Sequence, residues 1–349
     1  MKNSSKKHAV TMGEIMLRLK SPAHERLLQT PKLEATFGGS ESNVAISLSN
    51  YKIPACFITA LPPNLIGDAC MQFLKAWSVD TSFIRRSGER LGTYYVEAGS
   101  GPRPSVVIYD RKYSSISTAS VTDFEWDAIF SKACWFHISG ITPALSQAAA
   151  DLSLRAVKEA KKHEVPVSCD LNYRGKLWKY GKSAPEVMTK LMPYIDVIVA
   201  NEEDIQLSLG IELDQAIVGE ELSRQKYRQL CERVLEVYPH LSHIAISLRE
   251  SITADYNEWG AMSYVTEKET AYFSKRYSLT DIVDRVGGGD SFAAGFVYSI
   301  LAELEPQEGL EFAVAASALK HTIPGDINRV SVEDVKKLAA GQGSGRIKR

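Results

Sequence analysis

An α/β fold is predicted: a parallel sheet with helices on both faces, a three-layer α/β/α sandwich, carrying a small β lid. Three observations predict it. From residue 122 onward, short apolar runs alternate with amphipathic stretches of helical length. Two glycine turns, Gly38-Gly39 and Gly287-Gly288-Gly289, each open directly into a helix pattern rich in small residues. Residues 82–119 have a different character. There, two β-rich runs are joined by the loop GSGPRP at 99–104, with no helix pattern nearby, which reads as a hairpin outside the core layers.

In chain order, residues 8–19 read as a first strand with Gly13 and Glu14 near its middle. Pro22 and Pro31 bracket a loop, and 33–37 read as a short strand before the first glycine pair. Val44, Ala45 and Leu48 recur at helical spacing within 40–51. Residues 55–61 have the continuous apolar character of a buried strand. Pro62-Pro63 breaks the chain, and a helix is predicted over 67–77. The lid hairpin pairs runs at 94–96 and 105–109. Strands follow at 134–138, 165–171, 195–200 and 243–247, with helices at 146–163, 185–191 and 221–237 and one starting at Asn201. One helix follows the second glycine turn, and two more are predicted at 309–321 and 332–339. The tail 341–349 has no packing pattern and is predicted to be disordered. No repeat or linker divides the sequence, so 1–349 reads as one domain with lid segments at about 14–37 and 90–119.

Apolar residues make up 44% of the 349, enough for a sizeable core. The formal net charge of −1 offers nothing to attract a nucleic acid. The start is basic, but Glu14 and Arg18 interrupt the apolar run behind it, so neither a signal peptide nor a membrane span is predicted. Cys56, Cys70, Cys134, Cys169 and Cys231 are scattered and form no C-x-x-C pair, which predicts reduced thiols in a cytoplasmic protein.

The stretch DIVDRVGGGDSFAAGFVYS (281–299) carries the strongest chemical signal. Three adjacent glycines are entropically costly and imply unusual backbone angles or close approach. Before a helix they leave several N–H groups aimed at one spot, which with the helix dipole makes an anion hole. Asp290 sets a carboxylate at its rim, as phosphoryl transfer to a hydroxyl would need. A plain glycine turn with an Asp cap reads equally well on these residues alone. The second turn, FGGSESNVAISLSN (37–50), adds weight, because a two-substrate site would need two such turns. DLNYRGKLW (170–178) lies at the carboxyl end of a predicted strand, where ligands of open α/β sheets bind, and Arg174 offers a fork for an anion there. Arg174 could also be a surface residue paired with a nearby acid. NEED (201–204) opens a helix and reads on its residues as a capped start with acids in its first turn. Tyr94, Tyr109 and Arg111 stand on the lid, with Tyr95 on the opposite face from Tyr94. Gly181-Lys182-Ser183 lacks the leading glycine of a Walker A loop, no G-x-G-x-x-G opens the chain, and His240 and His243 lack zincin spacing.

GGSESN and DRVGGGDSFAAG resemble the two signatures of the ribokinase-like (PfkB-type) carbohydrate kinases, and the resemblance runs from about residue 10 to 328. Where that family usually has D-T-x-G-A-G-D, Arg285 and Gly288 replace the Thr and Ala. DLNYR with the nearby LW looks like the 2-keto-3-deoxygluconate kinases and also like some fructokinases. The resemblance implies a ribokinase-like sandwich with a β lid, and ATP-dependent phosphorylation of a primary hydroxyl with Mg²⁺. It implies that Asp290 accepts the hydroxyl proton and that Gly287, Gly288 and Gly289 stabilise charge on the phosphoryl group. It assigns Gly38, Gly39, Asn43, Tyr94, Tyr109, Arg111 and Arg174 to the sugar, together with Asp290. Asn172, Asn201, Ser247, Arg249, Gly287 and Gly289 fall to the nucleotide, with adenine near 247–249 and Ala318. Asp204, where the family has Glu, would reach the metal through water.

A helix N-terminus favours the ionised Asp and makes it a weak base, although a loose transition state asks more for orientation than for basicity. Two arginines in a nearly neutral chain favour a sugar acid, 2-keto-3-deoxygluconate, over a neutral sugar. A fructokinase- or ribokinase-type enzyme for a neutral sugar is the main alternative, and a non-catalytic sensing module a weaker one. An exposed lid edge suggests a homo-oligomer.

Overall fold

The computed structural model describes residues 7–212 and 220–342. Its strands are β1 (His8–Met12), β2 (Met16–Lys20), β3 (Glu34–Gly38), β4 (Ala55–Ile58), β5 (Ala60–Leu61), β6 (Arg85–Arg86), β7 (Gly92–Glu97), β8 (Val106–Asp110), β9 (Ala133–Ser139), β10 (Val167–Asp170), β11 (Val197–Ala200), β12 (His243–Ser251), β13 (Asn257–Val265), β14 (Thr270–Phe273) and β15 (Tyr277–Leu279). Its α-helices are α1 (Ser40–Asn50), α2 (Leu65–Ala76), α3 (Trp126–Phe130), α4 (Gln147–Lys162), α5 (Ala184–Leu191), α6 (Glu202–Leu209), α7 (Glu220–Val237), α8 (Gly288–Leu301), α9 (Pro306–Lys320) and α10 (Val332–Ala339).

The central sheet runs β14-β13-β12-β11-β10-β9-β1-β4, with β15 also paired to β13. From β12 to β4 every neighbour is parallel. These strands are continuous apolar runs because both faces are covered. Val197 and Val199 of β11 pack into the layer with α1, α2, α8, α9 and α10, while Ile198 and Ala200 pack into the layer with α4 to α7. The predicted sandwich is therefore present, with helices on both faces of the sheet.

Three local expectations are corrected. Residues 8–19 form two strands, not one. The chain leaves the central sheet at Gly13, where a side chain would overlap the Glu41 carboxyl, and re-enters as β2 of a separate sheet. Residues 55–61 likewise divide into β4 and β5, the latter pairing β6. No strand is predicted over 257–279, yet β13, β14 and β15 lie there as an antiparallel extension of β12. Polar residues (Asn257, Glu258, Thr270) break up the apolar runs there, so no strand pattern shows in the sequence.

The lid is the four-stranded sheet β3-β2-β7-β8. The predicted β7–β8 hairpin is antiparallel, and β2 joins it in parallel through β7. From residue 343 the predicted disordered tail falls outside the described residues. All five cysteines are free, Cys134 being the one that is not fully buried. Among the described residues no helix is long and apolar enough to cross a membrane.

Candidate active site

A cleft of about 680 Å³ opens where the carboxyl ends of the parallel strands meet the lid. Both glycine turns reach it, and they converge on one side chain. Asp290, in the first turn of α8, accepts hydrogen bonds from Ser40 Oγ and Asn43 Nδ2, each at 2.7 Å. These bonds favour the ionised carboxylate, but burial outweighs them and holds its pKa above the ordinary aspartate value. The weak base expected of a helix N-terminus is thus offset by desolvation.

Gly287 has φ +84°, and a Cβ there would sit 2.0 Å from the Asp326 carbonyl, so this position requires glycine. Among the described residues no protein acceptor takes the N–H of Gly287, Gly289 or Asp290. Gly288 behaves differently and its expected role is corrected. Its N–H goes to the Arg285 carbonyl at 3.3 Å, and a Cβ would strike the His321 ring rather than project into the cleft. Gly289 faces open space. The N–H groups left without a protein acceptor at this turn are therefore those of residues 287, 289 and 290.

In the first turn, Gly39 lines the cleft and is pinned under the Glu14 carbonyl. Gly38, expected at the sugar, is instead kept small by the Asp326 carboxylate and the Tyr94 hydroxyl, and it does not line the cleft. Asn43 lines the cleft while it orients Asp290.

The lid supplies Tyr94 and Tyr109, whose ring centroids lie 6.1 Å apart. Tyr94 is buried and its hydroxyl donates to Asp326 Oδ2, which leaves its ring to face the cleft. Arg111 lies 5.2 Å over the Tyr109 ring. It is not a free cation, as the two-arginine expectation assumed: its Nε donates to Glu14 Oε2 at 2.7 Å and its Nη2 reaches the same oxygen. That buried pair is neutral as a unit.

Opposite the lid, β10 ends in Asp170, and Asn172 turns the chain with φ +36°. The Asn172 amide donates to Asp170 Oδ2 at 3.2 Å and to Ser40 Oγ at 3.4 Å. Asp170 lines the cleft, and its pKa is driven well up by burial and by the charges of Asp204 and Asp290. Arg174 lines the cleft as an exposed residue, donates only to the Tyr173 carbonyl, and has no ion-pair partner within contact among the described residues. Its charge lowers the pKa values of Asp170, Asp204 and Asp290. Asn201 and Asp204 cap α6 reciprocally, and the second Asp204 oxygen accepts the Tyr173 N–H at 2.8 Å. Both oxygens of the expected metal-proximal acid are thus on main-chain N–H groups, and the capped-helix reading describes it.

Ser247 and Arg249 stand at the end of the cleft reached by the second glycine turn. Ala318 is buried in α9 and does not line the cleft, which corrects its placement beside adenine. Sequence reasoning missed Glu14, Ser40, Asp170, Arg285 and Asp326 as cleft residues. Ser40, Asp170 and Arg285 stood inside the stretches already singled out. Glu14 and Asp326 had no local signal, because their partners lie in distant segments.

Fold and site define a phosphotransferase architecture, and comparison with known proteins agrees. The chain belongs to the pfkB family of carbohydrate kinases, matching it over residues 6–248 and 258–333. The solved structure of a 2-dehydro-3-deoxygluconokinase from Thermotoga maritima superposes with a TM-score of 0.90 at 44% identity, covering 96% of this chain and all of that one. A 2-dehydro-3-deoxygalactonokinase from Haloferax volcanii is 31% identical over 96% of this chain and 98% of its own. A 2-dehydro-3-deoxygluconokinase from Thermoproteus tenax is 28% identical over 91% and 89%.

Proposed function

We propose that the protein is an ATP-dependent kinase of 2-keto-3-deoxygluconate (2-dehydro-3-deoxygluconate) and makes its 6-phosphate. The observation that carries this is the convergence of both glycine turns on Asp290, beside N–H groups that no protein acceptor takes. Asp290 accepts the proton of the primary hydroxyl, and Ser40 and Asn43 fix its orientation. The N–H groups of Gly287 and Gly289 stabilise charge on the phosphoryl group in transit. The donor phosphates lie along that turn and the Asn172, Asn201, Ser247 and Arg249 side of the cleft. Mg²⁺ would supply charge neutralisation on the phosphates, and Asp204, which lines the cleft while it caps α6, would hold it through water.

Arg174, without a carboxylate partner in contact, takes the acid end of the substrate. The neutral Arg111–Glu14 pair and the rings of Tyr94 and Tyr109 wall the sugar. Holding the acid end directs the far hydroxyl to Asp290. The names of relatives at 44% and 31% identity, both kinases of 2-keto-3-deoxy sugar acids, support this class. The lid edge β8, unpaired among the described residues and with Val106 and Ile108 exposed, suits a homo-oligomer, and five free cysteines suit the cytoplasm.

Coupled ADP-release assays test the reading. They would compare kcat/KM for 2-keto-3-deoxygluconate, its galacto epimer, fructose and ribose. The sugar acids should exceed both neutral sugars by about 10²-fold. Arg174→Ala should raise KM for the sugar acid far more than KM for ATP. Preference for fructose or ribose would put a neutral-sugar kinase in its place.

A further inference from the structure

Arg285 occupies the second glycine turn at a position where related signatures usually carry threonine, and nothing above gives it a role. Its side chain is half-buried and lines the cleft. Nη2 is tied to the turn of the β12–β13 hairpin: to the Ala254 carbonyl at 2.9 Å, the Thr253 carbonyl at 3.3 Å and Asn257 Oδ1 at 3.3 Å. Nε is buried without an acceptor, and no protein acceptor takes Nη1 among the described residues. No carboxylate pairs with it there either. The nearby acid, Asp255, has its oxygens engaged by the Thr253 hydroxyl at 2.7 Å and the Gly101 N–H at 3.2 Å.

Arg249 lines the same end of the cleft and is exposed, and its side chain forms no hydrogen bond or ion pair among the described residues. The two guanidinium groups are close enough to feel each other: burial first, and then the Arg249 charge, depress the Arg285 pKa. His321, whose ring lies against Gly288, reports the same field. Its pKa is pushed down to about 4, by burial first and also by the charges of Lys320, Arg285 and Arg249. Elsewhere around the cleft the protein neutralises its buried arginines, Arg18 with Asp284 and Asp326, and Arg111 with Glu14. At this end it does not. Unpaired like charges in a partly desolvated cleft are costly unless an anion fills it.

We propose that Arg285 is a phosphate-binding residue that, with Arg249, clamps the terminal phosphates of the nucleoside triphosphate laid on the N–H groups of Gly287 and Gly289. This rests on the kinase reading above. Anchoring Nη2 on three oxygens fixes the fork and leaves Nη1 as the donor for a phosphate oxygen. The same contact stabilises charge as the phosphoryl group leaves, so both nucleotide affinity and turnover depend on it.

Calorimetric binding of ADP and ATP to the wild-type protein, Arg285→Thr and Arg285→Lys, with steady-state kinetics of each, decides the matter. Arg285→Thr should weaken nucleotide binding about 10- to 100-fold and leave KM for the sugar acid within about twofold. Arg285→Lys should recover part of the affinity, and nucleotide Kd should depend less steeply on salt in the Thr variant. If Arg285→Thr does not fold, Arg285→Gln, whose amide can still donate to the hairpin carbonyls, is measured in its place. Unchanged nucleotide affinity in a folded variant overturns the proposal. Equal losses for nucleotide and sugar acid with a lowered Tm also overturn it, since they mark Arg285 as a brace for the hairpin. Failure of the wild-type protein to bind any nucleotide would instead sink the kinase reading.

Discussion

At the scale of single residues, the site depends on competing effects at Asp290. A helix N-terminus and two hydrogen bonds favour its ionised form, while burial favours the neutral form and wins. Asp290 must be ionised to accept a proton, so kcat/KM should fall as pH drops through its pKa. Asn43→Leu removes one bond to the ionised carboxylate and should therefore raise that pKa, moving the acid limb of the pH–rate profile to higher pH. Asp290→Asn should stay folded and lose about 10²–10⁴ in kcat. An acid limb that stays put in the Asn43 variant, or near-normal turnover in the Asp290 variant, would assign the proton to another group. Asp290 and Gly287 were legible in the sequence because three glycines before an acid are locally unusual. The hydroxyl that orients Asp290 was not, because Ser40 lies 250 residues away. Gly288 was misjudged for the same kind of reason: its Cα packs against His321, a contact that no local pattern encodes.

At the scale of elements, helix α1 is fastened to the end of β9 by a side chain with no place in the chemistry. Glu41 Oε1 accepts from the Ser139 N–H, the Ser139 hydroxyl and the Thr142 hydroxyl. Burial still dominates and lifts the Glu41 pKa to about 7. The folded state therefore holds a proton that the unfolded chain releases near pH 4.5. By linkage, this group lowers folding stability as pH rises from about 4.5 to 7, by on the order of 3 kcal/mol in all, and adds no further change above that. Glu41→Gln keeps an acceptor for the three donors and removes the titration. Its Tm relative to wild type should rise between pH 5 and pH 8, as read by calorimetry at several pH values. A difference independent of pH would mean that Glu41 is ionised throughout. The helix itself was legible from its spacing. The break between β1 and β2 was not, since Gly13 yields to the Glu41 carboxyl, a neighbour from another element.

At the scale of the whole molecule, lid and core are joined by a buried ionic cluster. Arg18, on lid strand β2, reads in sequence as a polar interruption of an apolar run, yet it is among the most buried side chains. Its fork bridges Asp284, at the head of the second glycine turn, and Asp326, after α9, at 2.5 Å each. Tyr94 of β7 donates to Asp326, and the Gly325 N–H adds to Asp284. Alternation of strands and helices foretells the layers of a fold, but not which charges will meet across 266 and 308 residues of chain. Sequence pattern therefore showed the sandwich and the hairpin and was silent on what couples them. Arg18→Met would leave two buried carboxylates without their ion-pair partner, with only Lys320 as a nearby positive charge among the described residues, at a cost of about 3–5 kcal/mol, and Tm should fall by several degrees. Asp326 already has a raised pKa through burial, held in check first of all by Arg18. Without that charge it should rise further, so the folded variant binds protons that the unfolded chain does not. Stability of the variant then declines as pH rises, and the gap to wild type should be wider at pH 8 than at pH 5. Thermal melts of both proteins across that range check this. A variant as stable as wild type at pH 8, or a gap that does not change with pH, would show that the cluster is not what ties the lid to the glycine turn.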